Sequence, residues 1–117
     1  MTLVDTSVWI NHIRRADPRL CALLADGQVV SHPFVIGELA CGRFANRDEV
    51  LRLLERLPAL DVVSDREARV FLDAHDLAGS GIGWVDVHLL AAARVARVSV
   101  LTADKALMRA TASADRT

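Results

Sequence analysis

Short apolar segments alternate with longer helical patterns along this chain, and this alternation constrains the fold more than any other feature. Segments 2–5, 28–31, 60–63 and 97–101 favour short buried strands. Strands that alternate with helices are typical of an α/β fold, in which helices cover both faces of a parallel sheet. Such sheets carry their functional groups at the carboxyl ends of the strands.

The segments between the strands carry helix start and stop signals. Thr6 and Ser7 offer N-caps for a first helix. Pro18 starts a second helix, which ends at Asp26-Gly27. Further helices are predicted over residues 33–42, 46–57, 64 or 65 to about 78, 84–96, and after 104. Residues 79–83 are predicted to form a flexible loop.

The composition agrees with a single globular domain over residues 1–117. Hydrophobic residues make up 52% of the chain and charged residues 25%, which is enough apolar material for a core. No apolar run approaches the roughly 18 residues that a membrane span needs. Cys21 and Cys41 lack the spacing of a structural zinc site and fit a reducing compartment. We therefore expect a cytoplasmic protein.

The net charge gives weak information about partners. The formal charge is −1, whereas a protein that binds nucleic acid by charge alone is usually basic. The basic residues are, however, nearly all arginine, with Lys105 the single lysine of the sequence. Arginine binds phosphate through a planar fork of donors, but a GC-rich genome also accounts for this composition.

Two acidic residues follow predicted strands. Asp5 ends the first strand, and Asp104 lies just beyond the strand that ends at Leu101. Both could cap the helices that follow them, since aspartate is a good N-cap. For Asp5 this role is not required, because Thr6 and Ser7 could cap the same helix. The position of both residues at strand ends also suits a functional site.

Two further acidic residues share helix faces with apolar neighbours. Phe34, Val35 and Cys41 lie three or four positions from Glu38, so Glu38 is expected to project from an apolar face. Asp86 likewise precedes the apolar stripe formed by Leu89, Leu90, Ala93 and Ala96. A buried carboxylate is costly unless it is paired, protonated or bound to metal. An ion pair for Glu38 and a favourable helix-terminus charge for Asp86 are the alternatives.

Four carboxylates that converge would repel one another strongly without cations. Mg²⁺ and Mn²⁺ are hard ions that prefer carboxylate oxygen and water. Such ions can activate water and neutralise a scissile phosphate. We therefore expect Asp5, Glu38, Asp86 and Asp104 to meet in one pocket at the carboxyl edge of the sheet and to bind Mg²⁺ or Mn²⁺.

Four blocks of the sequence resemble PIN-domain toxins of the VapC type. They occur in the same order as in that family and span nearly the whole chain. The blocks are Val4-Asp5-Thr6-Ser7-Val8-Trp9-Ile10, Ile36-Gly37-Glu38-Leu39, Gly83-Trp84-Val85-Asp86-Val87-His88-Leu89-Leu90-Ala91-Ala92 and Val100-Leu101-Thr102-Ala103-Asp104-Lys105. The acidic quartet of the family falls on Asp5, Glu38, Asp86 and Asp104.

The resemblance implies a PIN-like fold with four or five parallel strands, a divalent metal, endoribonuclease activity and a cognate antitoxin. The family often has an arginine at the position of Ala103 and an aromatic residue at 106–108, where this chain has Ala-Leu-Met. These departures affect contacts with substrate near Asp104 rather than the acidic quartet. For Ser7 and Thr102, the expected roles are helix capping and strand-end hydrogen bonding. His88 is expected to be a satisfied, partly buried histidine.

Three other functions compete with a nuclease toxin. A receiver-like phospho-acceptor module is also α/β with acidic strand ends, but it needs an adjacent acidic pair after the first strand. Here Asp5 is followed by Thr6. A receiver module also needs an acid at the end of its third strand, whereas Asp61 begins the third predicted strand. A phosphatase of the Asp-x-Asp type is disfavoured because Ser7 stands two residues after Asp5. A catalytically idle PIN domain used only for binding has no support from the sequence, since all four acids are present.

The sequence also predicts association. Trp9 and Ile13 on the first helix, with Leu20, Leu23 and Leu24 on the second, offer more apolar surface than a small sheet can cover. Apolar surface that a small domain leaves uncovered tends to mark interfaces. The alternative is that these residues are core, which is the expectation for Trp9. We expect a homodimer and an antitoxin that brings a basic group to the acidic pocket.

Overall fold

Three short parallel strands form the sheet in the computed structural model, which describes residues 1–115. β1 (Thr2–Val4) lies in the centre, between β2 (Val29–Val30) and β3 (Ser99–Leu101). The chain leaves β1 to form β2 on one side and later returns to form β3 on the other. The direction of the connections therefore reverses beside β1, and the carboxyl ends of β1 and β3 meet at the point where α/β sheets bind ligands.

Seven helices are present within residues 1–115, and most begin where the sequence predicts. Pro18 and Pro33 are the first residues of their helices, where the missing N–H of proline costs nothing. Ser64 caps its helix in a reciprocal pair of hydrogen bonds with Glu67. The helices are α1 (Thr6–Arg14), α2 (Pro18–Ala25), α3 (Pro33–Ala40), α4 (Arg47–Arg56), α5 (Asp65–Ala74), α6 (Trp84–Ala96) and α7 (Lys105–Asp115).

The expected strand at residues 60–63 is absent from the described chain, so the sheet has three strands rather than four or five. One isolated parallel bridge, between Ser31 and Ala59, stands in its place. The Ser31 N–H donates to the Pro58 carbonyl at 2.8 Å, and the Leu60 N–H donates to the Ser31 carbonyl at 2.8 Å. The pairing starts beside a proline, which has no N–H, and the chain soon turns to the cap of α5.

Apolar side chains of the strands and of α1, α3 and α6 form the main core. Leu3 and Val4 of β1 are fully buried, and Trp9 of α1 is only 2% exposed. α6 is buried along seven successive residues, from Val87 to Ala93. A helix buried on nearly all sides is apolar throughout, which explains why α6 has little polar surface beyond its ends.

The apolar surface expected on α1 and α2 is largely covered. Trp9 and Leu20 belong to the buried core, and Ile13, Leu23 and Leu24 pack against it in partly buried positions. Trp9 and Leu20 are therefore core, as the alternative holds, whereas Ile13, Leu23 and Leu24 keep part of their apolar surface exposed. Within residues 1–115, the helices are too short or too polar to cross a membrane.

Candidate active site at the carboxyl edge of the sheet

Asp5 lies at the carboxyl end of β1 and is held by two hydroxyl groups. It is 5% exposed. Ser7 Oγ and Thr102 Oγ1 each donate to Asp5 Oδ2 at 2.8 Å. The side chain of Asp5 makes no capping hydrogen bond to α1, so capping does not explain this residue. Within residues 1–115, Oδ1 accepts no hydrogen bond, and one oxygen of a buried carboxylate is left for another partner.

The same two hydroxyls tie the ends of β1 and β3 together. Ser7 Oγ accepts the N–H of Ala103, and Thr102 Oγ1 accepts the N–H of Asp104, both at 3.0 Å. Each hydroxyl therefore accepts one backbone hydrogen bond and donates its own proton to Asp5. Ser7 and Thr102 do more than the capping and strand-end roles that the sequence predicts, because they also orient Asp5.

Glu38 lies on α3 and is exposed, which corrects the expectation that it projects into a buried apolar face. Cys41 and Gly42, which share its helix face, are also exposed, and Glu38 and Gly42 line an open cleft. Thr6 Oγ1, on the first turn of α1, donates to Glu38 Oε1 at 2.8 Å. The sequence reasoning considered Thr6 only as a cap. Its position directly after Asp5 was the signal that it could belong to the site.

Asp86 lies on the first turn of α6 and is partly buried. Burial raises its pKa above the usual value for aspartate, and the hydrogen bond from the Gly83 N–H acts in the opposite direction. The carboxylates of Asp5, Asp104 and Glu38 each raise the pKa of Asp86 further. All three charges therefore lie within electrostatic reach of Asp86. The Gly83 N–H lies 3.1 Å from Asp86 Oδ2.

Asp104 follows β3 and is exposed. Its Oδ1 accepts the N–H of Leu107 at 2.9 Å, so it caps α7 as the structural alternative predicts. Capping occupies one carboxylate oxygen and leaves the other without a hydrogen bond in the described chain. Asp104 therefore caps a helix and also contributes negative charge to the site.

Asp5, Glu38 and Asp104 lie within electrostatic reach of Asp86, but the four acids are not arranged as a closed ligand cage. Within residues 1–115, no group of three Asp, Glu, His or Cys side chains is placed so that it could hold a metal ion by itself. The donor chemistry nevertheless fits a hard divalent cation, because every donor is a carboxylate oxygen. Mg²⁺ keeps several of its waters and needs only one or two direct carboxylates, so a wider spacing suits it.

His88 of α6 is buried and contacts side chains of α3 and α5. It is 1% exposed, and its Nε2 lies 3.2 Å from Oδ1 of Asp65. The ring meets those of Phe34 and Trp84 edge to face, with centroids 5.1 Å and 4.8 Å away. Its Nδ1 has no hydrogen-bond partner in the described chain, so one of its two ring nitrogens is paired and the ring is more deeply buried than expected.

A sequence model of the PIN domain matches residues 2–113, and the chain belongs to the PIN-domain family. The particular relatives it resembles are the ribonucleases VapC32 from two strains of Mycobacterium tuberculosis. Each is 46% identical over 113 residues, which cover 96% of this chain and 91% of the relative. The recognition of a VapC-type PIN domain is therefore confirmed, and the receiver-like alternative loses its support.

The fold also agrees with a solved structure. The crystal structure of PAE2754 from Pyrobaculum aerophilum superposes with a TM-score of 0.65 and covers 94% of this chain and 84% of that one. The two sequences are 16% identical, so this likeness concerns the fold alone. It confirms the predicted PIN-like α/β architecture.

Proposed function

We propose that this protein is a metal-dependent endoribonuclease and the toxin of a type II toxin–antitoxin pair. The observation that carries the proposal is a hydrogen-bond network at the carboxyl ends of β1 and β3: Thr102 contacts both Asp5 and the N–H of Asp104, and Thr6, next to Asp5, donates to Glu38. Neighbouring carboxylates repel one another, and such arrangements in proteins are often functional sites. The similarity to a ribonuclease over 96% of the chain supports the same function.

Asp5, Glu38, Asp86 and Asp104 are the proposed metal-binding and catalytic residues, with Mg²⁺ as the ion and Mn²⁺ as a substitute. When bound, the ion would activate water for attack on phosphorus and neutralise charge on the phosphate. Hydroxyl groups of the chain orient the carboxylates of Asp5 and Glu38. The hydroxyls of Ser7 and Thr102 fix Oδ2 of Asp5 and leave Oδ1 available, while Thr6 holds Glu38 from α1.

The exposure of the site suits a polymeric substrate. Glu38 and Asp104 are exposed and Asp86 is partly exposed, whereas Asp5 lies at the base of the site. An RNA backbone can therefore approach the outer carboxylates while Asp5 stays out of bulk water. The hydroxyl groups that donate to Asp5 keep its carboxylate in a fixed orientation, so no reorganisation is needed during the reaction.

Purified protein incubated with total RNA, with and without EDTA, tests this function. We expect cleavage with Mg²⁺ or Mn²⁺, loss of cleavage with EDTA, and at least a hundredfold loss in Asp5→Asn, roughly the effect of removing a principal catalytic group. Asp73→Asn, a matched change on the exposed face of α5, should cleave like the wild type. Intact RNA under all conditions would instead support an idle PIN domain used only for binding.

The proposed partners are RNA in the cytoplasm and a cognate antitoxin. An antitoxin segment that brings an arginine to the acidic pocket would block cleavage through charge-assisted hydrogen bonds. Expression of the wild type alone should arrest growth, and co-expression of the neighbouring reading frame should relieve the arrest. Equal arrest by wild type and Asp5→Asn would show that toxicity comes from elsewhere.

A homodimer is also proposed, through α5 and α6 rather than through α1 and α2. Val95 and Val70 are 73% and 60% exposed and border an apolar cavity of about 390 Å³ between the two helices. Exposed apolar surface of this kind tends to mark an interface. Light scattering at micromolar concentration should give a dimer, and Val95→Glu should give a monomer. A monomeric wild type would contradict the proposal.

A further inference from the structure

A cleft of about 230 Å³ opens beside the acidic residues, between α1 and the segment that joins α3 to α4. Glu38 lines this cleft and also belongs to the proposed quartet. The hydrogen bond from Thr6 Oγ1 to Glu38 Oε1 fixes that shared wall. The cleft is thus continuous with the proposed cleavage site. A substrate unit next to the bond that is cleaved would reach this cleft.

The floor of the cleft is apolar. Ile10 and Ile13 share one face of α1, and the half-buried ring of Phe44 faces them from the segment after α3. Ile10 is 40% exposed, so part of this apolar floor is open to solvent. The cleft is smaller than the roughly 300–1,000 Å³ of pockets that enclose drug-sized ligands, and its size suits a flat group such as one nucleobase.

The rim of the cleft is basic. Arg14 and Arg43 line it and are both exposed. Within residues 1–115, neither side chain forms an ion pair or a hydrogen bond, although Glu38 lines the same cleft. Guanidinium groups bind phosphate through a planar fork. Two unpaired guanidinium groups above an apolar floor complement an anionic backbone that carries flat bases, and they would repel a basic peptide.

We propose that this cleft is the subsite for the nucleotide adjacent to the scissile phosphate in single-stranded RNA. The base lies against Phe44 and Ile10, and Arg14 and Arg43 bind the flanking phosphates. Single-stranded segments are the substrates because their bases can unstack and lie against an aromatic ring. The inference rests on the proposed ribonuclease function and assigns a positioning role to residues outside the acidic quartet.

Binding measured without cleavage tests the subsite. The probe is a labelled, short single-stranded oligoribonucleotide of random sequence, titrated by fluorescence anisotropy into full-length Asp5→Asn protein. Arg14→Gln and Arg43→Gln should each weaken binding and reduce the slope of log K against log salt by about 0.7, the loss of one phosphate contact in single strands. Arg52→Gln on α4, which removes the same charge outside the cleft, should leave both quantities unchanged.

Phe44→Ala should weaken binding of the intact oligonucleotide by about tenfold, the usual scale of base stacking. It should have little effect on a fully abasic oligonucleotide, because no base remains to stack. Phe44→Leu keeps an apolar side chain in the fold and removes only the aromatic face, so it serves if Phe44→Ala does not fold. An equal loss with both oligonucleotides would overturn the stacking role.

The outcomes separate the subsite from the function on which it rests. If the wild type cleaves RNA but all cleft variants bind RNA like Arg52→Gln, the subsite is wrong and the ribonuclease function stands. If the cleft variants bind RNA normally and lose binding to the cognate antitoxin, the cleft belongs to the protein partner and the inference is overturned. If the wild type does not cleave RNA, the proposed function itself fails.

Discussion

Thr102 accepts the N–H of Asp104 and donates its proton to Asp5 at a nearly buried position. Thr102→Val keeps the shape of the side chain. It removes one hydrogen bond from the buried Asp5 carboxylate and one from the Asp104 N–H. We expect the free energy of unfolding to fall by about 1–3 kcal/mol and RNA cleavage to fall with it. Urea denaturation and a cleavage assay measure the two effects. Thr102→Ser keeps the hydroxyl and should retain most of both; a loss as large as that of Thr102→Val would show that the hydroxyl alone does not account for the effect.

His32 makes stability depend on pH. It is fully buried, and its Nδ1 accepts the N–H of Phe34 at the start of α3. Burial lowers the pKa of His32 from 6.5 to about 4, and the neighbouring His88 adds to this effect. Between these values the unfolded chain binds a proton that the folded chain does not. The free energy of unfolding should therefore fall as pH decreases through this window, by up to about 3 kcal/mol.

His32→Asn separates this effect from the titration of the carboxylates. Asparagine keeps a hydrogen-bond acceptor at the cap of α3 and does not titrate. The variant should therefore lose less stability than the wild type over the same pH interval, whatever its stability at neutral pH. Urea denaturation across the window measures both slopes, and parallel curves for the two proteins would exclude His32 as the source.

At the scale of elements, helix α3, which carries Glu38, contains a glycine that no close contact requires. Gly37 lies in the middle of α3, and a Cβ added there would meet nothing within 4 Å. Gly37→Ala should raise the free energy of unfolding by roughly 0.5–1 kcal/mol, because glycine loses more chain entropy than alanine in a helix. Thermal and urea denaturation measure the gain.

Gly81→Ala is the matched change in the loop before α6. Gly81 has a φ of +91°, which alanine rarely adopts, and its added Cβ would lie 3.5 Å from that of Ala106. This variant should lose stability where Gly37→Ala gains it. A loss in both would mean that the backbone at residue 37 is less tolerant than its open surroundings indicate.

At the scale of the whole molecule, the proposed metal site contains four carboxylates whose mutual repulsion a bound cation would reduce. Mg²⁺ or Mn²⁺ at millimolar concentration should raise the melting temperature of metal-free protein, since a ligand that binds only the folded state stabilises it. Asp5→Asn should abolish the shift, and Asp73→Asn should keep it. Differential scanning fluorimetry measures all three proteins. An unchanged melting temperature in the wild type would count against the metal site.

The positions of most helices, and of Asp5 and Asp104 along the chain, could be predicted from the sequence because they depend on near neighbours. Proline at a helix start, the cap at Ser64 and the apolar run of α6 all act within a few residues, and the structure agrees with them. Asp5 and Asp104 were placed at strand ends for the same reason. The parallel order of β1 and β3 then follows from the helices between them, since parallel strands need long connections.

The tertiary structure alone decided how these residues meet. The hydrogen bond from Thr102 to Asp5 joins residues 97 positions apart, and it depends on the register of β1 against β3. The exposure of Glu38 and the loss of the strand at 60–63 likewise depend on how α1, α3 and the segment after Pro58 pack. Periodicity records which face of an element is apolar, but the partner that covers that face, or leaves it open as a cleft, is set by contacts between distant parts of the chain.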